Sequence, residues 1–198
     1  MVEQITTIFL GPQGCGKGTH IEKLAAFLQE KDPSRKVATF GMGNSLRMFA
    51  DQTGFTQEKV RGSLLRGELQ PLFLVSSMLA DFFIKECSDS EHIIVDGFPR
   101  EEQQIPVFDS AVQFYGRQNP TLVYITISDE VALERLLKRG RSDDTEDKIK
   151  KRLQWTREQM QGILDWFKAH PEYRVLEING EQSIEAVHQD ILKAMQLA

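Results

Sequence analysis

The residues with the plainest chemistry are Gly11-Pro12-Gln13-Gly14-Cys15-Gly16-Lys17-Gly18-Thr19, which follow the apolar run Ile8-Phe9-Leu10 and open a stretch of helical periodicity. Glycines at this spacing let successive backbone N–H groups converge on an anion, at the point where the next helix presents its positive end. Lys17 adds a mobile full charge. The spacing is that of G-x-x-x-x-G-K, a phosphate-binding loop, with Gly18 where Ser or Thr commonly faces magnesium and Thr19 one place later. The bland alternative, a glycine-rich turn with an incidental lysine, is disfavoured by the apolar strand before it and the amphipathic helix after it.

A second group is the carboxylate Asp96, which closes the apolar run His92-Ile93-Ile94-Val95 and precedes Gly97-Phe98-Pro99-Arg100. Ligands of open α/β sheets gather at the carboxyl ends of such strands. A third is Arg139-Gly140-Arg141-Ser142-Asp143-Asp144, followed by Lys150-Lys151-Arg152-Leu153. Metal or base chemistry has no comparable support, since His20, His92, His170 and His188 show no paired spacing. Cys15 and Cys87 form neither a CxxC pair nor a disulfide framework, and Cys15 reads as a small residue that fits the loop.

The net charge of −5 disfavours nucleic acid and anionic membranes as partners, so any polyanionic ligand must be held by a local cluster of cations. With 198 residues, 40% hydrophobic and 27% charged, the chain suits a single domain with a sizeable core. No run approaches the ~18 apolar residues of a membrane span, and the amino terminus lacks a signal peptide's basic start. A cytoplasmic protein is expected.

Five apolar runs predict the strands that must position these groups: Ile5 to Leu10, Val37 to Phe40, His92 to Asp96, Leu122 to Ile127 and Tyr173 to Ile178. Between them lie helical patterns. The first carries Ile21, Leu24, Ala25 and Leu28 and stops at Asp32-Pro33; the next carries Leu46 to Phe49. Gly54 and Gly62 punctuate short helical pieces. Pro71 opens a long helix through Leu72, Phe73, Leu74, Met78, Phe82 and Phe83, apolar on most sides and therefore expected to be buried under the sheet. Ser128 caps a helix with Asp129 and Glu130 in its first turn and Lys138 and Arg139 in its last. A long helix with Ile149, Leu153, Met160, Ile163 and Phe167 ends near His170-Pro171, and Ile184 to Met195 is the last helix. Strands alternating with helices imply a parallel sheet covered on both faces through right-handed crossovers.

Taken together, the loop at 11–19, Asp96-Gly97-Phe98-Pro99-Arg100 and the arginines from 139 to 152 resemble the adenylate kinase family of nucleoside monophosphate kinases. Gly43-Asn44-Ser45-Leu46-Arg47 is similar to that family's Gly-Asp-Met-Leu-Arg. The resemblance covers essentially the whole chain and implies a P-loop NTPase-type α/β fold in three layers. The chain would be one domain, 1–198, with a mobile monophosphate-binding segment at 41–70 and a very short lid at 139–146. It further implies ATP at Gly14, Cys15, Gly16, Lys17, Gly18, Thr19, Arg139 and Gln182. AMP would lie at Gly41, Met42, Arg47, Glu68, Leu69, Gln70, Gly97, Phe98, Arg100, Gln104, Arg141 and Arg152. Lys17, Arg100, Arg139, Arg141 and Arg152 would be catalytic, with Asp96 holding Mg2+ through water and no zinc bound. A cytosolic monomer is expected.

Gln104 stands where the family reads the adenine edge, which favours AMP as acceptor. Met42 and Asn44 replace the family's Thr and Asp, and a lost hydrogen bond typically costs ~1 kcal/mol. UMP, CMP or a deoxynucleotide are therefore alternative acceptors, and a nucleotide-binding regulatory protein of weak turnover is an alternative from another class. Arg135 and Arg157 fall outside the matched positions and read as surface residues.

Overall fold

A computed structural model describes residues 3–140 and 145–197. The strands are β1 (Thr6–Leu10), β2 (Val37–Gly41), β3 (His92–Asp96), β4 (Thr121–Thr126) and β5 (Arg174–Asn179), all parallel, in the order β2-β3-β1-β4-β5. The helices are α1 (Lys17–Lys31), α2 (Met42–Ala50), α3 (Phe55–Arg66), α4 (Leu72–Glu86), α5 (Ile105–Phe114), α6 (Asp129–Arg139), α7 (Glu146–Ala169) and α8 (Ile184–Ala194).

The period of two in a strand divides the apolar side chains between two layers. Ile8, Leu10, Ala38, Phe40, Ile93, Val95 and Leu122 join one core with residues of α2, α4, α5 and α7. Phe9, Ile94, Val123, Ile125 and Ile178 face the other way, into a core built with α1 and α8. A smaller cluster of Ala132, Leu136, Ile149 and Leu153 fastens α6 to α7. Both faces of the sheet are thus covered over its central strands, which is why β1, β3 and β4 are almost wholly buried, whereas the edge strands expose Thr39 of β2 and Glu177 of β5.

At the amino ends of the strands Arg117 is buried, 4% exposed. Its Nε donates to Thr6 Oγ1 at 2.7 Å, and Nη2 donates to the carbonyls of Ile5 (3.1 Å) and Glu91 (2.6 Å). Burial holds its pKa below the usual guanidinium range.

Three expectations need correction. α5 was not foreseen; it begins beside Pro106 and buries Ile105, Phe108 and Val112 at helical spacing. Gly62 does not divide α3, which runs unbroken from Phe55 and takes only Gly54 as its entry and Gly67 as its exit. α4 is not buried all round: Leu74, Val75, Leu79, Phe82 and Phe83 pack inward, but Phe73 and Ile84 are 70% and 73% exposed. Its composition is more apolar than its single packed stripe requires. No helix among the described residues is long and apolar enough to cross a membrane.

Candidate active site

The glycine loop leaves β1 and winds into α1 by left-handed turns at Gly14 (φ 86°) and Gly16 (φ 95°). Gly16 caps α1 without a side-chain bond, and the first ladder bond is His20 N–H to Gly16 O at 3.2 Å. The amides of Lys17, Gly18 and Thr19 therefore stand outside the helix's own hydrogen bonding, at its positive end. Lys17 Nζ folds over the loop, donating to Gly11 O at 2.8 Å and Pro12 O at 3.1 Å, with Cys15 Sγ at 3.5 Å.

Gly11 is required by more than its turn. It sits at φ 142°, and a Cβ there would stand 2.3 Å from the carbonyl oxygen of Ile125. Gly11→Ala is expected to destabilise the fold by about 3 kcal/mol, since backbone rather than a pliable side chain must yield. A chemical denaturation midpoint measures it.

Under the loop, His20 is 3% exposed and lies 3.4 Å from where a Gly16 Cβ would be. Burial above all, then the positive charge that His188, Lys23 and Arg135 bring near, pushes its pKa down from 6.5 to about 4. The folded protein thus binds this proton more weakly than the unfolded chain does. Stability attributable to neutral His20 is complete above pH 6.5 and drains away as pH falls toward 4, by about 3 kcal/mol at most. Melting temperature against pH should fall across that window, and His20→Gln should flatten the fall.

β3 brings the second group to the same end of the sheet. Asp96 is aligned with Phe9 of β1, and its Oδ1 is buried without a hydrogen-bond partner. Gly97, left-handed at φ 68°, turns the chain so that Arg100 Nε donates back to Gly97 O at 3.0 Å. Arg100 N–H donates to Gln104 Oε1 at 2.8 Å, fixing the buried Gln104 amide, whose Nε2 donates to Glu101 Oε2 at 3.2 Å. Burial lowers the Arg100 pKa; Asp96 opposes the shift, while Arg47 and Arg152 add to it. Three guanidinium groups are thus close enough to feel one another, an arrangement that an anion relieves.

A cavity of about 1210 Å³ joins these parts. Gly14, Gly16, Lys17, Gly18, Thr19, Arg47, Glu68, Leu69, Asp96, Gly97, Arg100, Arg139 and Arg152 line it. A small adjoining pocket is lined by Met42, Leu46, Leu64, Glu68, Leu69, Gln70, Val75, Arg100 and Gln104. Arg47 is steered from within α2, where its Nη2 donates to Asn44 Oδ1 at 2.6 Å. Glu68 pairs with Arg66 through two contacts of 2.8 Å, which hold its carboxyl below the usual range.

Other expected residues lie elsewhere. Cys15 and Phe98 are buried in the two cores rather than lining the cavity. Gly41 ends β2 beside Asp96. Gln182 is exposed, and its amide donates to Asn179 O (3.0 Å) and Asp190 Oδ2 (2.9 Å), away from the cavity lining. Arg141 lies outside the described residues, as does the centre of the 139–146 segment. Arg157 is a surface residue, paired with Asp129 Oδ2 at 2.8 Å.

Arg135 is not: it lines the cavity, with Nη1 directed at Gly14 O (3.5 Å) and Nη2 donating to Gly180 O (3.1 Å). It precedes Arg139 by one helical turn, and that spacing was the signal for a shared face. Lys148, Lys151 and Trp155 also line the cavity and were not foreseen. They stand within a turn of Arg152 on α7.

Cations from α1, α2, α6 and α7, together with Arg100 after β3, line one cavity with the glycine cradle at the carboxyl edge of a parallel sheet, the arrangement of a P-loop fold built to hold polyphosphate. A family model described as adenylate kinase matches residues 9–172. The chain belongs to the adenylate kinase family. It is 32% identical over 184 residues to adenylate kinase 1 of Nostoc sp., covering 93% of this chain and 95% of that one. It is 31% identical over 189 residues to adenylate kinase of Prochlorococcus marinus, covering 95% and 97%. Against adenylate kinase isoenzyme 1 of Gallus gallus it is 30% identical over 187 residues, covering 92% and 89%.

Proposed function

We propose that this chain catalyses reversible transfer of the γ-phosphoryl group of ATP to AMP, giving two ADP. The observation that carries the reading is the convergence of Lys17, Arg47, Arg100, Arg139 and Arg152 on one cavity beside the glycine loop. Phosphoryl transfer between nucleotides needs alignment and charge neutralisation more than covalent chemistry, and a ring of fixed cations supplies both.

On this reading, the amides from Gly14 to Thr19 and Lys17 hold the donor's β- and γ-phosphates. Lys17 exchanges the neutral carbonyls of Gly11 and Pro12 for phosphate oxygens, a stronger charge-assisted bond. Arg47 and Arg100 clamp the acceptor phosphate, while Arg139, Arg141 and Arg152 gather the equatorial oxygens of the group in transit. No protein base is invoked. The acceptor base would enter beside the small pocket of Met42, Leu64, Gln70, Val75 and Gln104, which has to widen to receive it. The 41–70 segment moves to close on the acceptor and exclude water, with Arg139 facing the same cavity from the end of α6.

Asp96 fits a hydrated magnesium ion: its buried Oδ1 has no protein hydrogen-bond partner, and a Cβ on Gly18, where the usual hydroxyl is absent, would meet nothing within 4 Å. Magnesium prefers oxygen donors and keeps several waters, which a single carboxylate can orient. When bound it would neutralise charge on the donor phosphates. We further propose a cytoplasmic monomer.

The names of the relatives support AMP as acceptor. The departures at Met42 and Asn44 favour testing others beside it, so the experiment is a turnover panel of AMP, UMP, CMP and deoxynucleoside monophosphates with ATP and magnesium fixed. AMP should be among the best acceptors. Preference for a pyrimidine would reassign the acceptor, and tight ATP binding without turnover of any monophosphate would favour a regulatory role instead.

A further inference from the structure

Helix α3 ends with a carbonyl left for a partner from another part of the chain. Gly67, left-handed at φ 74°, brings its own N–H to Leu64 O at 3.0 Å and the Glu68 N–H to Ser63 O at 3.0 Å. This Schellman-type ending satisfies two of the last four carbonyls. A third, Leu65 O, accepts from Lys148 Nζ at 3.1 Å. Lys148 belongs to the first turn of α7 and precedes Arg152 by four residues, so the two share a helical face. Both line the cavity with Trp155, opposite Leu64 and Leu65. An ammonium at this position also meets the negative end of the α3 dipole.

The contact joins two elements that the core ties loosely. α3 sinks Val60 into the core and keeps Leu65, Arg66 and the following Glu68 at the surface. Leu64, Glu68 and Leu69 nonetheless line both the main cavity and the small pocket beside it. Their distance from Arg152 depends on where the carboxyl end of α3 rests, and Lys148 is the cation that reaches that end.

We propose that Lys148 is a positioning residue for the acceptor nucleotide: by holding the Leu65 carbonyl it sets the carboxyl end of α3 against α7 and so fixes the acceptor wall relative to Arg152. The inference rests on the assignment of that wall to the acceptor under Proposed function.

The test uses Lys148→Met, which keeps the stem and removes the charge, and Lys148→Arg, which restores a donor. Hydrogen exchange without nucleotide should be several-fold faster in the Met variant at the α3 amides and unchanged in β1 and β3, with the Arg variant close to wild type. KM for AMP should rise roughly three- to tenfold in the Met variant, as for one charge-assisted hydrogen bond at a partly exposed site. KM for ATP should stay within about twofold, and Arg should recover AMP affinity. Unchanged α3 exchange would overturn the proposal, as would an equal rise in both KM values or failure of Arg to rescue. If the wild-type protein turns over no monophosphate, the proposed function falls by itself. The exchange comparison still decides whether Lys148 anchors α3.

Discussion

Lys17→Met is expected to lower kcat by roughly 10²–10³-fold, the loss typical when a preorganised charge is removed from a developing negative one. Methionine keeps the length of the stem and loses the cation. In the folded protein that cation donates to Gly11 O and Pro12 O, two carbonyls of a loop that lines an open cavity. Water can take over those bonds, so the melting temperature should move by no more than a few degrees. The split between lost turnover and retained stability separates a phosphate-binding lysine from one that merely braces its loop. Steady-state kinetics and a thermal scan on one preparation decide it, and wild-type turnover in the variant would remove Lys17 from the mechanism.

Arg100→Ala is expected to raise KM for AMP by roughly two orders of magnitude, about 3 kcal/mol, with a smaller effect on KM for ATP. The reason lies in the electrostatics of its neighbourhood. Burial lowers the pKa of Arg100, and Arg47 and Arg152 act in the same direction against Asp96. A guanidinium held at such cost gains most when a dianionic phosphate arrives. Its loss removes the bond to Gly97 O and the attraction of Asp96 along with the repulsion from Arg47 and Arg152, so the effects partly offset and only a modest fall in stability is expected. Arg100→Lys should recover the charge but not the paired donors, giving an intermediate KM. Equal loss of donor and acceptor affinity would mean that Arg100 serves the whole cavity rather than one nucleotide.

The strands were legible in the sequence to within a residue at each end, because the central strands β1, β3 and β4 are buried on both faces and even the edge strands β2 and β5, which expose Thr39 and Glu177, keep short apolar stretches between polar turns. The charged ends of α6 were legible for a related reason: Ser128 Oγ accepts from Val131 N–H, and the acidic and basic turns follow the helix dipole. α5 escaped because the polar stretch Glu101 to Gln104 before it and Pro106 beside its start obscured a stripe of only three buried residues. The loop, Asp96 and the matched arginines came from motif spacing. Arg135 needed only the next step, asking what shares a helix face with Arg139. The bond from Lys148 to Leu65 O joins residues 83 positions apart through a backbone atom, so no residue type at position 65 records it.

Arg117 ties the chain together at the opposite end of the strands from the glycine loop and its cavity, through Thr6 and the carbonyls of Ile5 and Glu91. One end of the strands thus carries a clamp with no part in the proposed chemistry, while the other carries a loop that serves fold and phosphate alike. Selection for heat resistance can work on the rim around Arg117 without disturbing phosphate chemistry, whereas changes at the glycine loop must satisfy both demands at once.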